Sequence, residues 1–251
     1  MKDSVKETIS AIITSGCTLA ATFGIKVLPE LSGVLASCSP IMNLLVNRVL
    51  ERFDTKSFAR IECARLGICY SQLVAIIQSH SDKGDKISFP EFSSNEEFSK
   101  ADEICEAVFK ASIDDSQSIK SICYGNLLGN IPFQSKYDAS ASYLLIKTAE
   151  ELSYDELCLL AVIDRLPRKN YFGIEEKAWQ DDISASVLYA NMLHIDRLGL
   201  LKRLPSFTSG RALDNHQISS FGHDLCDLLE LKLLNNEDIS NMNDRILKYL
   251  C

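Results

Sequence analysis

From Thr8 to Ile25 the chain runs for 18 residues without a formal charge. Placed on a helix, Ser10, Thr14, Thr18 and Thr22 recur every fourth residue as one stripe of hydroxyls. Gly16, Ala20 and Gly24 form a small-xxx-small stripe beside it. A helix facing water normally carries Lys and Glu on its outer side, and this one has none. Small side chains let a neighbouring backbone approach closely, while the hydroxyls can bond back to their own helix or line a wet seam between helices. The segment suits a buried bundle or a membrane, and these seven residues are the expected oligomer or membrane interface.

Three readings follow for this helix. In the first it packs inside a soluble helical bundle. In the second it is sheltered in a soluble form and released into a membrane, where the glycines pack neighbouring protomers and the hydroxyls face a wet lumen. In the third it is a permanent anchor, an assignment weakened by six Ser and Thr among its 18 residues. Pro29 and Pro40 each sit where proline opens a helix, the second behind Ser39 as an N-cap. The stretch 27–53 therefore reads as a short piece followed by a longer one, which argues against a simple membrane hairpin. The apolar segment as a whole is taken as residues 8–47.

A length of 251 residues with 46% hydrophobic content supports one large or two ordinary domains and excludes wholesale disorder. The net charge of −8 argues against a general polyanion binder, whose affinity comes from clustered Lys and Arg on phosphates. Nine cysteines, at 17, 38, 63, 69, 105, 123, 158, 226 and 251, are scattered and never spaced as CxxC. They are expected to be reduced core residues of a cytosolic protein. The opening MKDSVKETIS mixes acids and bases and lacks a basic leader, so export is not expected. The expected location is the cytoplasm, with the inner membrane as the alternative surface if the second reading holds.

Helical periodicity dominates, so the class is mainly α. A long helix is expected over Lys56 to Gln78, then a polar connection with Gly84 and Pro90, with Ser94 and Glu97 as a capping box for the next helix. Helices near 95–111, 115–130 and 139–151 should follow, with Asp114 or Asp115 capping the second. Ser153 and Glu156 form another capping box ahead of LCLLAVIDRL, and a boundary is placed near residue 150. This makes 1–150 a helical bundle and 151–251 a second domain.

In the C-terminal third, DRLGLLKR (196–203) reads as a helix end running into a strand, with Gly199 in a left-handed turn. SFTSGRALDN would be a wing, and ISSFGHDLCDLL (218–229) a strand entering a helix. This pattern resembles the winged-helix superfamily, which implies a winged-helix-like α+β domain with a small two- or three-stranded sheet. The apolar helical first half, KSICYGNLLGNI (120–131) and this C-terminal pattern together resemble uncharacterised bacterial proteins associated with phage conflict. That resemblance implies a defence effector or interaction protein with no active site.

The helix in the recognition position, SASVLYANMLHIDRL (184–198), offers one Arg and one His among apolar and small residues, a poor inventory for base edges. Lys202, Arg203 and Arg211 are the candidate nucleic-acid contacts, yet residues 151–251 carry 11 Lys and Arg against 16 acids. Nucleic acid is therefore disfavoured, and a protein partner or homo-oligomer is expected. A soluble adaptor and a DNA-binding regulator are the alternatives to a membrane-active effector.

No phosphate loop, HExxH or nucleophile elbow occurs, so no enzymatic activity, cofactor or metal is expected. His216, His223 and Cys226 are spaced as H-x6-H-x2-C, which matches no common zinc site, and the histidines read as a surface pair. Asp114-Asp115 and Asp181-Asp182 read as helix caps rather than catalytic carboxylate pairs. Trp179 is expected to anchor the C-terminal core.

Overall fold

A computed structural model of the chain describes residues 39–53, 60–93, 99–165, 182–203 and 216–249. Ser10, Thr14, Gly16, Thr18, Ala20, Thr22 and Gly24 lie outside the described residues, as do Ser94, Glu97, Trp179, Asp181 and Arg211. The chain divides into two compact units, Met1–Glu150 and Glu151–Cys251. The described residues are mainly helical, with nine α-helices and a two-stranded antiparallel sheet.

In the first unit, helix α1 (Pro40–Arg52) opens as its sequence dictates. Ser39 is extended and its hydroxyl accepts the Met42 N–H at 3.4 Å, while Pro40 fills the first helical position, where no N–H is missed. The helix buries Met42, Leu45, Val46, Val49 and Leu50, one apolar stripe at helical spacing. Helix α2 (Arg60–Lys83) continues past the expected end at Gln78. Its last turn is polar, but polarity alone does not stop a helix; Gly84, with φ +75°, does.

Helix α3 (Lys100–Asp114) starts later than expected, and its capping box is Ser99 with Asp102 rather than Ser94 with Glu97. The Asp102 N–H donates to Ser99 Oγ at 3.2 Å and the Ser99 N–H to Asp102 Oδ2 at 3.0 Å. Arg48 and Arg52 of α1 reach the same buried carboxylate, at 3.1 and 3.8 Å, so one aspartate starts α3 and ties it to α1. Helix α4 (Lys120–Asn130) has no side-chain cap at Ile119. The expected cap, Asp115, instead follows the end of α3. Arg65 of α2 spans the α3–α4 turn, donating to the carbonyls of Ile113 and Ser116 and to Ser118 Oγ. Helix α5 (Ala139–Glu151) completes the run.

Helices α2 and α4 pack against each other through Gly125 and Gly129. A Cβ on Gly125 would strike the Cys69 carbonyl and lie 2.7 Å from Gln72 Cβ, and one on Gly129 would lie 2.7 Å from Ile76 Cβ. A polar ladder accompanies this glycine seam: Gln72 Nε2 donates to Asn126 Oδ1 at 2.7 Å, and His80 Nε2 meets Asn130 Oδ1 at 2.8 Å.

In the second unit, α6 (Tyr154–Arg165) opens on the expected box, with the Ser153 N–H donating to Glu156 Oε2 at 2.7 Å and the Glu156 N–H to Ser153 Oγ at 3.3 Å. Helix α7 (Ile183–Arg197) is capped by Asp182, which accepts the Ser184 N–H at 2.8 Å. It ends in a Schellman turn: Gly199 takes φ +73°, its N–H donates to the Asp196 carbonyl, and the Leu200 N–H donates to Ile195. Strands β1 (Leu201–Arg203) and β2 (His216–Ile218) pair with Leu201 opposite Ile218 and Arg203 opposite His216. The expected single final helix from Phe221 is two helices, α8 (Ser220–Leu228) and α9 (Asn236–Tyr249). Glu230, left-handed at φ 52°, turns the chain between them into a short 3₁₀ turn, Leu231–Leu233.

Candidate interaction surface

Helix α7 has two unlike sides. Ala185, Leu188, Met192 and Ile195 are buried, while Ile183 is 78% and Val187 42% exposed, with Ser184 and Ala190 exposed beside them. Arg197, in the last turn, is the helix's sole Lys or Arg. Both ends are fixed: Asp182 caps the first turn and also pairs with Lys248 of α9 at 3.1 Å, and His194 Nδ1 meets Glu156 Oε1 of α6 at 2.7 Å. The exposed apolar face is thus carried on a firmly held helix.

The hairpin that follows is anchored at its base. The Ser219 N–H donates to the Leu200 carbonyl at 2.9 Å and Ser219 Oγ to the Gly199 carbonyl at 2.7 Å. Gly222, in the first turn of α8, lies against the Leu200 carbonyl with no room for a Cβ. Of the three candidate nucleic-acid contacts, Lys202 is exposed on β1, Arg203 ends β1, and Arg211 lies outside the described residues.

The histidine pair does not form as expected. His216 is buried at the head of β2, with Nε2 3.8 Å from Asp196 Oδ1. His223 is half-exposed on α8, where Nδ1 meets Asp164 Oδ1 of α6 at 2.7 Å. That hydrogen bond raises the imidazole above its ordinary 6.5, against partial burial and with help from the charges of Asp164, Asp227 and Asp224. Cys226 is buried and its thiol is pushed well up by burial. Among the described residues, no three His, Cys, Asp or Glu side chains gather as a metal group.

Other titratable groups of the first unit hold structure. Asp115 Oδ2 meets Lys120 Nζ at 2.5 Å and accepts the Tyr124 hydroxyl at 2.7 Å, and Oδ1 accepts the Gln117 N–H at 2.8 Å. Burial pushes Asp115 up, but these donors outweigh it and leave the carboxyl below its ordinary 3.8. Asp114 is exposed at the end of α3, so the Asp114-Asp115 pair does not converge on one site. His80 lies between Asp85, at 2.7 Å, and Asn130, and stacks on Phe133 with ring centroids 4.0 Å apart. Burial raises the thiols of Cys63, Cys69 and Cys105, and of Cys158 in the second unit, with Cys69 and Cys158 at about 12, the reverse of an activated nucleophile.

The glycine seam of α2 and α4 brings two helix backbones into close approach, a role expected of residues 16–24 alone. Its signal was present, since Gly125 and Gly129 carry the same four-residue spacing. No protein family model, curated protein or solved structure matches the chain.

Proposed function

We propose that the chain is a non-enzymatic interaction protein whose C-terminal unit is arranged as a winged helix and uses α7 to bind a protein partner. The order of α6, α7, β1, β2 and the left-handed Gly199 between helix and hairpin support that arrangement. The observation that carries the reading is the outward face of α7. A DNA-reading helix offers Arg, Lys, Asn or Gln to base edges and phosphates. This one offers Ile183 and Val187, whose burial against a partner is worth roughly 2 kcal/mol each.

The test sets protein against DNA. A photo-crosslinking residue at Val187 should give a discrete protein adduct in cells that the same residue at exposed Glu237 does not. Duplex DNA at low salt should show no salt-sensitive binding. Micromolar binding that Lys202→Glu abolishes would overturn the assignment in favour of a DNA-binding regulator.

The same proposal gives the apolar segment 8–47 the task of self-association or entry into the inner membrane, motivated by the stripes of Gly16, Ala20 and Gly24 and of Ser10, Thr14, Thr18 and Thr22. Phage defence is the setting that the family resemblance implies for such an effector. Sedimentation and membrane fractionation of wild type against Gly16→Leu and Gly24→Leu test this part; identical assembly size and partition in all three would remove it.

A further inference from the structure

We propose that Asp164, His223 and Asp227 form a proton-operated latch that holds α8, and through it the base of the β1–β2 hairpin, against α6. The ring of His223 stands between two carboxylates: Nδ1 lies 2.7 Å from Asp164 Oδ1 on α6, and Nε2 lies 3.7 Å from Asp227 Oδ2 one turn along its own helix. At 3.7 Å the second contact is an ion pair and not a hydrogen bond, so a neutral ring with its proton on Nδ1 keeps only the bond to Asp164, whereas the imidazolium is also attracted by the charge of both carboxylates. The doubly protonated ring is therefore the form that suits this geometry.

The latch reaches the hairpin because α8 begins directly after β2. Its N-cap, Ser219, bonds the Gly199 and Leu200 carbonyls, and Gly222 is packed onto Leu200, so the first turn of α8 moves with the end of α7 and the start of β1. The other charges at the latch are Arg165 on α6, Asp224 on α8, and Glu230 and Lys232 at the following turn. Arg165 donates to the Lys232 carbonyl at 3.0 Å, a tie between α6 and this turn that does not titrate near neutrality. The charges that α9 brings to α6 sit at its other end, Asp238 on the Tyr154 hydroxyl and Arg245 on Asp155. His223 therefore modulates a docking that Arg165 and apolar packing maintain.

The sign follows from linkage. His223 titrates higher folded than unfolded, so the latch is complete below about pH 6.5 and is released as pH rises through the raised folded value.

The full chain tests this by NMR titration of His223 together with amide-exchange protection factors in α8 and β2 at pH 6 and pH 9. Wild type should titrate above 6.5 and show several-fold greater protection at the lower pH. Asp164→Asn should return the titration toward 6.5, and His223→Gln should abolish the difference in protection. Equal protection at the two pH values in wild type, or the same pH dependence in His223→Gln, overturns the latch. The wild-type comparison decides the matter even if a variant misfolds. A winged-helix unit that proved to bind DNA would leave this result unaffected.

Discussion

Gly125 and Cys69 meet with no space for a side chain between them: the Cys69 carbonyl occupies the place that a Cβ on Gly125 would take. The backbone of α2 cannot yield as a flexible side-chain tip would. Gly125→Ala should therefore lower stability by about 2 kcal/mol in urea denaturation. Gly129→Ala meets the branched Cβ of Ile76 and should cost nearly as much. Gly84→Ala has open space around it and only a left-handed backbone to strain, about 1 kcal/mol. An unchanged midpoint for Gly125→Ala would mean that the two helices are not in close contact.

Asp102 holds one end of α3 and both arginines of α1. Asp102→Ala should cost about 3 kcal/mol, because it leaves Arg48 partly buried beside an empty acceptor position and removes a helix cap together. Ser99→Ala removes only the cap and should cost about 1 kcal/mol. Paired denaturation curves read the difference, and equal losses would reduce the Arg48–Asp102 contact to a bystander.

Asp115 sets an acid limit for the first unit. Its carboxyl is depressed when folded, so its contribution to stability is complete above about pH 3.8 and is lost as pH falls through the lower folded value. Wild type should lose stability across that interval more steeply than Asp115→Asn, measured as melting temperature against pH. Parallel curves would show that Lys120 and Tyr124 do not favour the charged form.

Glu230 adopts a left-handed backbone with a full side chain. Glu230→Gly should raise stability by about 1 kcal/mol, since glycine takes that conformation without steric cost. A loss would mean that the Glu230 side chain, 3.8 Å from Lys232 Nζ, contributes more than the strain it brings.

Thiol reactivity should follow burial. Cys63 is partly exposed, whereas Cys69, Cys105, Cys158 and Cys226 are buried. Alkylation of the native protein followed by peptide mass mapping should label Cys63 well before those four. Rapid labelling of Cys105, with its thiol pushed well above the ordinary range, would contradict its place in the core.

The features legible in the sequence are those written within four residues of one another. Ser39-Pro40, Ser153 with Glu156, Asp182 before α7 and Gly199 after it each carry their own local chemistry, and each takes its expected role. Where two local patterns compete, only packing decides. Ser94 and Glu97, which lie outside the described residues, are the better box by residue type, yet α3 starts at Ser99, whose partner Asp102 also takes Arg48 and Arg52. The break between α8 and α9 has no Gly or Pro to announce it, since Glu230 supplies a conformation that sequence rules reserve for glycine. Asp114 or Asp115 is the expected cap because an acid before a helix usually is one; Lys120, the first residue of α4, and Tyr124, one turn on, draw Asp115 elsewhere. The burial of His216 is equally invisible in H-x6-H-x2-C, because spacing along the chain says nothing of which side of a two-stranded ribbon faces the core.

Glu156 divides its two oxygens between two helices: Oε2 receives the Ser153 amide that starts α6, and Oε1 receives His194 in the final turns of α7. The opening of one rod and the close of the other are thereby yoked to a single carboxylate. Fraying of either tip therefore takes a contact from its companion, and the two ends are stabilised together.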